Sequence, residues 1–297
     1  MIKKEEMEKY LFTLPSLIVV VSFLSLFSYI IYMSMMNMNP FSSELVFVGL
    51  KNYIWIFTED MLFPKSFKLT ILWVFINLTL QFILGFFVAL TVKNLTSNRY
   101  SRFSRFRNVI TTLILIPSMT APIAVGIYFR IILNTEFGPL NFYLQKLGIP
   151  AISWLGNSSI ALYSVMLTSL WSGTPLVFLL CLAGLLVLPK SPYEAAKIDG
   201  ATPLQVLFYI TLPLMKPIFL TIILLRFVDV SKVFDKIFVL TGGGPGTSTE
   251  ILTMHTYFTF FKNLEFSKGA AIGVLLTVAV TGMVGIILWF MRRSESE

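Results

Sequence analysis

Six long stretches of this chain are apolar and almost free of charge, at positions 11–36, 69–92, 109–133, 160–188, 214–230 and 270–291. A helix rising 1.5 Å per residue needs about 20 residues to cross a hydrocarbon layer of roughly 30 Å. The six runs are of that order, and the fifth is the least regular. Strands of a membrane barrel would alternate apolar and polar residues over about ten positions, whereas 19–31 and 274–290 are apolar on all faces. The pattern predicts an all-α, polytopic membrane protein with about six transmembrane helices. The first run is too long for the core of a signal peptide and has no small-x-small exit before 37–40, so it reads as a retained anchor.

The polar segments between the runs set an orientation. Lys3, Lys4 and Lys9 precede the first run, and Lys93, Arg99, Arg102, Arg105 and Arg107 crowd the connection between the second and third. Basic residues collect on the cytoplasmic side of a membrane protein, which places both termini and the connection 191–212 inside, with Arg292 and Arg293 in agreement. Segments 37–68, 134–159 and 234–269 then lie outside, where Glu44, Glu59, Asp60 and Glu265 dilute the basic residues. These segments carry turn chemistry, Gly138-Pro139 and Gly242-Gly243-Gly244-Pro245-Gly246, but none is long enough for a second folded module. One domain, residues 1–297, without internal repeat is expected.

Composition sharpens the membrane reading. Of 297 residues, 56% are hydrophobic and only 13% charged, and the mean hydropathy is +0.80, more apolar surface than one soluble core can hide. The net charge of +8 sits in short inter-run segments and comes with no nucleic-acid motif. Cys181 and His255 are the sole residues of their kinds, which excludes a disulfide, a cysteine-based metal site and a histidine cluster. Residues 242–246 are glycine-rich but lack the Gly-Lys-Ser/Thr ending of a phosphate loop, so the chain is not expected to be an enzyme with its own ATPase site.

The connection 191–213 has its own grammar. Ser191-Pro192-Tyr193-Glu194 pairs a cap serine, a first-turn proline and a glutamate three residues after the cap, the pattern of a capping box. Ala195, Ala196, Lys197, Ile198 and Asp199 continue a short helix that Gly200 can end. Thr202-Pro203-Leu204-Gln205 repeats the grammar for a second helix, which Pro213 is expected to end. Leu204, Leu207, Phe208 and Ile210 supply apolar side chains between polar ones, so the loop reads as a helix, a glycine elbow and another helix built to dock. A short helix held by caps transmits a rigid-body displacement that a flexible loop absorbs.

Polar residues also fall inside the runs. Arg226 lies about 18 Å from the inner end of its run near Leu214, close to mid-membrane, and Asp229 shares its face at i+3. Each charge would cost on the order of 3 kcal/mol facing lipid, so both face protein or water. Trp171-Ser172-Gly173-Thr174-Pro175 falls at a similar depth, about 16–23 Å from the outer end of its run. An aromatic face, hydroxyls, charges and a glycine are what a sugar site at the midplane requires. The same residues also fit a structural ion pair and close helix packing. Asn77 and Gln81 form another polar face, and Pro117, Thr120 and Pro122 point to a bent third span.

Glu194-Ala195-Ala196, Gly200 and Ile210-Thr211-Leu212-Pro213 resemble the EAA loop of permeases in binding-protein-dependent ABC importers. Gly49-Leu50-Lys51-Asn52-Tyr53, Trp154-Leu155-Gly156, Ala183-Gly184-Leu185 with Pro189, and Leu240-Thr241-Gly242-Gly243-Gly244-Pro245 are similar to the maltose-type sugar permease branch and extend the likeness along nearly the whole chain. The resemblance implies a MetI-like permease fold. It implies that Glu194, Ala195, Ala196, Asp199, Gly200, Ile210, Leu212 and Pro213 couple to an ATPase subunit. Its implied partners are a second homologous permease, two ABC ATPases holding ATP and Mg, an extracytoplasmic solute-binding protein, a sugar and membrane lipid, with no cofactor in this chain and a place in the cytoplasmic membrane. It further implies sugar contacts at Ser172, Gly173, Leu176, Arg226, Asp229, Val230 and Val233, beside Trp171. At 226, 229 and 233 the maltose pattern carries small polar or aromatic side chains instead, which weighs against maltose itself. A phosphorylated polyol or other non-sugar solute stays open as cargo, as does an ion-coupled secondary transporter, against which the helix-elbow-helix loop argues.

Overall fold

The computed structural model describes residues 4–38, 45–97 and 102–295. Lys3, Glu44 and Arg99, which enter the orientation argument, lie outside the described residues. Helix α1 (Lys4–Ser34) leads into an antiparallel ribbon of β1 (Met36–Met38) and β2 (Leu45–Phe47), with Asn37 facing Val46. Helices α2 (Lys51–Thr58), α3 (Phe63–Ser97), α4 (Arg102–Met119), α5 (Pro122–Ile132), α6 (Pro139–Lys146) and α7 (Ala161–Val187) follow. Next come α8 (Ser191–Ile198), α9 (Pro203–Val206), a π-helical turn (Leu207–Thr211) and α10 (Leu212–Ser231). The chain ends with α11 (Asp235–Leu240), α12 (Leu252–Tyr257), a second π turn (Phe258–Lys262) and α13 (Phe266–Glu295).

The chain is a multi-pass membrane protein. Five helical stretches are long and apolar enough to cross a bilayer, Thr13–Ser34, Phe63–Asn94, Ala161–Val187, Pro203–Ser231 and Phe266–Arg293. The third expected span is a broken one: Val109–Met119 and Pro122–Ile132 meet at 92°. Proline explains the break, because Pro117 and Pro122 each remove a backbone donor and exclude the carbonyl four residues back. The fourth span, expected at 160–188, agrees to within one residue at each end. Helix α3 runs well beyond its apolar run at both ends, its 32-residue window reaching about 48 Å.

Two compact units divide the chain, Met1–Pro64 with His255–Ala279, and Lys65–Met254 with Val280–Glu297. In the first, the motif at 49–53 acquires a physical meaning. Gly49 turns the chain at φ +56°, and Asn52 Nδ2 donates to the carbonyls of Ser34 and Met36 at 2.8 and 2.7 Å, tying α2 to the end of α1. His255 Nε2 meets Asp60 Oδ2 at 2.8 Å, with both side chains buried. Along α1, apolar side chains such as Leu17 and Phe23 are exposed, as a helix facing lipid or another membrane subunit requires.

The second unit is organised on α7, where Val177, Phe178, Cys181, Leu182 and Leu185 form a core with Ala89 and Val92 of α3 and Met215 and Ile222 of α10. Close approach depends on glycine at one point in particular. A Cβ on Gly85 would lie 2.7 Å from the Val177 side chain, so a larger residue would force α3 off α7. Helices α4 and α10 pack on α7, and α11 packs on α5 and α7.

Candidate functional site

The loop 191–213 is built as two helices around an elbow, although its first cap differs from the expected one. Helix α8 begins one residue early, and Lys190 takes the cap position with no side-chain bond. The N–H groups of Tyr193 and Glu194 both donate to the Lys190 carbonyl, at 3.0 Å each. Ser191 thereby falls inside the first turn, where its hydroxyl has no orphan donor to accept, and no capping box forms there. Glu194 lies in the first turn, where the helix dipole favours an acid. At the other end, Gly200 N donates to Lys197 O at 3.4 Å and Ala201 N to Ala196 O at 2.9 Å, the Schellman arrangement that closes a helix through a left-handed residue. Gly200 supplies that residue, at φ +72°.

The second cap forms as expected. Gln205 N donates to Thr202 Oγ1 at 3.4 Å, and Thr202 N donates to Gln205 Oε1 at 2.8 Å. Pro213, however, does not end this helix. The wider π turn Leu207–Thr211 precedes it, with Leu212 N donating to Leu207 O five residues back, and the helix runs on without interruption over Pro203–Ser231. A proline ring collides with the carbonyl four residues earlier in a regular α-helix, and a π turn widens the winding just where that carbonyl stands. The result is one helical rod of 29 residues, about 43 Å long.

Tyr193, which the sequence reading did not single out, fastens the loop to this rod. Its hydroxyl donates to Thr211 Oγ1 at 3.1 Å, and Lys93 of α3 stands 4.8 Å over its ring. Among the residues expected to couple, Ala196 is buried, Glu194, Ala195, Asp199, Gly200 and Pro213 are exposed, and Ile210 and Leu212 are half-buried. The apolar side chains of Ile198, Leu204, Phe208 and Tyr209 are open, at 59–86% of their full exposure. That is more apolar surface than a solvated loop normally offers.

The rod's far end lines a cavity of about 330 Å³. Helix α7 contributes Ser169, Ser172, Gly173 and Leu176, the i, i+3, i+4, i+7 stripe of one helical face. The rod and its exit contribute Arg226, Asp229, Val230 and Val233 at the same spacing. Ser118, Thr120 and Pro122 enter from the break between α4 and α5, and Lys232, Phe234, Asp235 and Lys236 from the turn into α11. Trp171, expected among them, points elsewhere. One position off the α7 stripe, it meets Phe129 edge-on at 5.5 Å and lines a separate, mostly apolar cavity of about 440 Å³ with Tyr128, Ile131 and Ile132.

Arg226 spends three of its five N–H donors on protein side chains. Its Nη2 and Nε donate to Gln81 Oε1 at 2.6 and 3.1 Å, and its Nη1 donates to Asp229 Oδ2 at 3.2 Å. Gln81, with no exposed surface, is held in turn through Nε2 to the Ser169 carbonyl at 3.1 Å. Asp229 also pairs with Lys232 at 3.1 Å, and Trp73 Nε1 donates to the Val230 carbonyl at 3.2 Å. Gly173 makes the arrangement possible: a Cβ there would stand 2.6 Å from both Arg226 Nη2 and Gln81 Nε2.

Lys236, like Lys232 and Asp235, is a charge of the cavity that the sequence reading passed over. Its Nζ donates to Ser172 Oγ at 2.6 Å. Burial, helped by the nearby Arg226 charge and opposed by Asp235 and Asp229, pulls its ammonium down to about 8. Its position six residues past the apolar run was the available signal, but a charge just outside a span normally reads as an interfacial anchor.

Comparison with known proteins agrees with this architecture. The family described as binding-protein-dependent transport system inner membrane component matches residues 81–295. The trehalose/maltose transport system permease protein MalF of Thermococcus litoralis is 33% identical over 280 residues, 94% of this chain and 92% of that one. The sn-glycerol-3-phosphate transport system permease protein UgpA of Yersinia pestis is 33% identical over 96% of this chain and 94% of its own. A chain from the crystal structure of a bacterial ABC transporter involved in the import of the acidic polysaccharide alginate shares the fold, with TM-score 0.82 at 21% identity, covering 98% of this chain and 96% of that one.

Proposed function

The chain belongs to the family of binding-protein-dependent transport system inner membrane components, and from that premise we propose that it is a permease subunit that moves a sugar across the cytoplasmic membrane by alternating access. It pairs with a second, similar permease, two ATPase subunits that hold ATP and Mg, and an extracytoplasmic solute-binding protein. Both termini and the 191–213 loop face the cytoplasm. The chain itself makes and breaks no covalent bond.

The observation that carries this reading is the continuity of Pro203–Ser231. A docking loop capped at Thr202 and closed at Gly200 is one end of a rod whose other end forms a wall of the polar cavity. A displacement imposed on α8 and α9 by a closing ATPase pair therefore moves Arg226 and Asp229 without an intervening flexible segment. The exposed Ile198, Leu204 and Phe208 are the side chains for the ATPase groove, while Glu194 and Asp199 give it a polar rim. Arg226 acts as a brace that holds the cavity wall, because all three of its side-chain nitrogens bond to Gln81 or Asp229. The cargo contacts fall to Ser172, Gly173, Leu176, Asp229, Val230 and Val233.

Reconstitution of the assembled complex in vesicles tests the reading. Uptake of sugar should require ATP inside the binding-protein-distal compartment and the binding protein on the opposite side. Uptake by vesicles lacking any ATPase would instead establish an ion-coupled carrier.

A further inference from the structure

The cavity wall carries three cations, Arg226, Lys232 and Lys236, against two anions, Asp229 and Asp235. Their engagements differ. Arg226 is occupied by Gln81 and Asp229. Lys232 is paired with Asp229 at 3.1 Å and its side chain is 69% exposed. Lys236 is half-buried, and among the described residues its ammonium pairs with no carboxylate and makes its one hydrogen bond to Ser172 Oγ. A desolvated ammonium held by a single hydroxyl keeps donors to spare, and a buried cation is normally matched by an opposite charge. Here the place for that charge is the cavity itself.

We propose that the cargo carries an anionic group, a carboxylate or a phosphate, which docks on the remaining N–H donors of Lys236 Nζ, held in place by Ser172 Oγ, while the rest of the solute lies against Gly173, Val230 and Val233. The proposal rests on the reading of this cavity as the cargo site. It moves the anion-binding role from Arg226, the obvious candidate in the sequence, to Lys236. Ser172 serves as the hinge of the arrangement: its hydroxyl also donates to the Thr168 carbonyl at 3.0 Å, which leaves its lone pairs to Lys236 and orients the ammonium toward the cavity. Asp229 and Asp235 stand on the opposite side of the balance and reject a second negative charge, so a single anionic group per docked sugar or polyol unit is what the site accepts.

Competitive acylation of lysines in the purified complex tests this without requiring the natural cargo. At a pH near 8, where the Lys236 ammonium begins to lose its proton, Lys236 should react with a small acylating reagent, with exposed Lys232 as internal reference. Glucose 6-phosphate and glucuronate at saturating concentration should slow acylation of Lys236 relative to Lys232 by about fivefold or more, as occupancy of most sites requires, while glucose leaves it unchanged. The two anions separate a phosphate from a carboxylate preference. Equal protection by glucose, protection by none of the three, or a Lys236 unreactive because a carboxylate of the assembled partner already pairs with it would each overturn the proposal. ATP-driven uptake measured on the same preparation separates the two readings. Intact uptake with no selective protection defeats this inference alone, and absent uptake defeats the importer assignment with it. In the uptake assay Lys236→Met should lower transport of an anionic cargo about tenfold, a loss of one hydrogen-bonded charge pair, and Lys236→Arg should retain most of it.

Discussion

Gln81 Oε1 accepts two hydrogen bonds from the Arg226 guanidinium, 2.6 Å from Nη2 and 3.1 Å from Nε, across 145 residues of sequence. The bond joins α3 to α10 and fixes where the arginine stops. Gln81→Leu leaves two donors of a buried cation without an acceptor, and the complex should lose about 2–3 kcal/mol of stability, the scale of hydrogen bonds to charged groups. Denaturant unfolding of the purified complex measures it. Unchanged stability would show that Arg226 finds another partner.

Gly173 should be nearly intolerant of a side chain. Its Cβ would stand 2.6 Å from both Arg226 Nη2 and Gln81 Nε2, so Gly173→Ala must displace the hydrogen-bonded ends of these two side chains, at roughly 1–3 kcal/mol for an overpacked site. Uptake should fall about tenfold for a strain of that order while membrane insertion persists, and Gly173→Val should fall further. Quantitative uptake against membrane protein level is the measurement.

Stability should depend on pH through Lys236. Its ammonium is pulled from the ordinary 10.5 to about 8 by burial first and by Arg226 second, so between those values the unfolded chain holds a proton that the folded chain lacks. Stability therefore rises with pH across that window, and the penalty is fully present below it. The other charged groups at the cavity are Arg226, Asp229, Lys232 and Asp235; α4, α5 and α7 contribute none to its wall. Lys236→Met should flatten the rise, read from thermal unfolding at a series of pH values.

Gly200 tests the elbow. Its φ of +72° costs about 1–2 kcal/mol for an ordinary residue, and nothing lies within 4 Å of the position a Cβ would take. Gly200→Val thus strains the backbone without creating a clash. ATP hydrolysis should continue while uptake falls, raising the ATP used per cargo molecule by about tenfold for a strain of this order. Normal stoichiometry would show that the elbow transmits nothing.

The apolar runs made the spans legible, because lipid demands long uninterrupted runs and charges mark their ends. The Thr202 cap and the Gly200 elbow were equally open to reading, since both are local. Pro213 misled because a proline reports only that a regular α-helix fails there, and the π turn that rescues it is a three-dimensional adjustment. Ser191 misled by one residue, which is enough to undo a cap. The cavity was half legible: the stripes of α7 and α10 follow from periodicity, but the pairing of Gln81 with Arg226 and of Ser172 with Lys236 depends on which helices become neighbours. Trp171 was drawn into the site by its chemistry, whereas its angle on α7 sends it to the Phe129 side.

The assignment as an ATP-coupled permease stands or falls on what touches Leu204, whose side chain is 67% exposed. A photoreactive maleimide attached to Leu204→Cys in a Cys181→Ser background of the assembled transporter should, on illumination, join this chain to an ATPase subunit and stop uptake. A label that finds only lipid or solvent, or an adduct with the ATPase that leaves uptake running, would contradict the account.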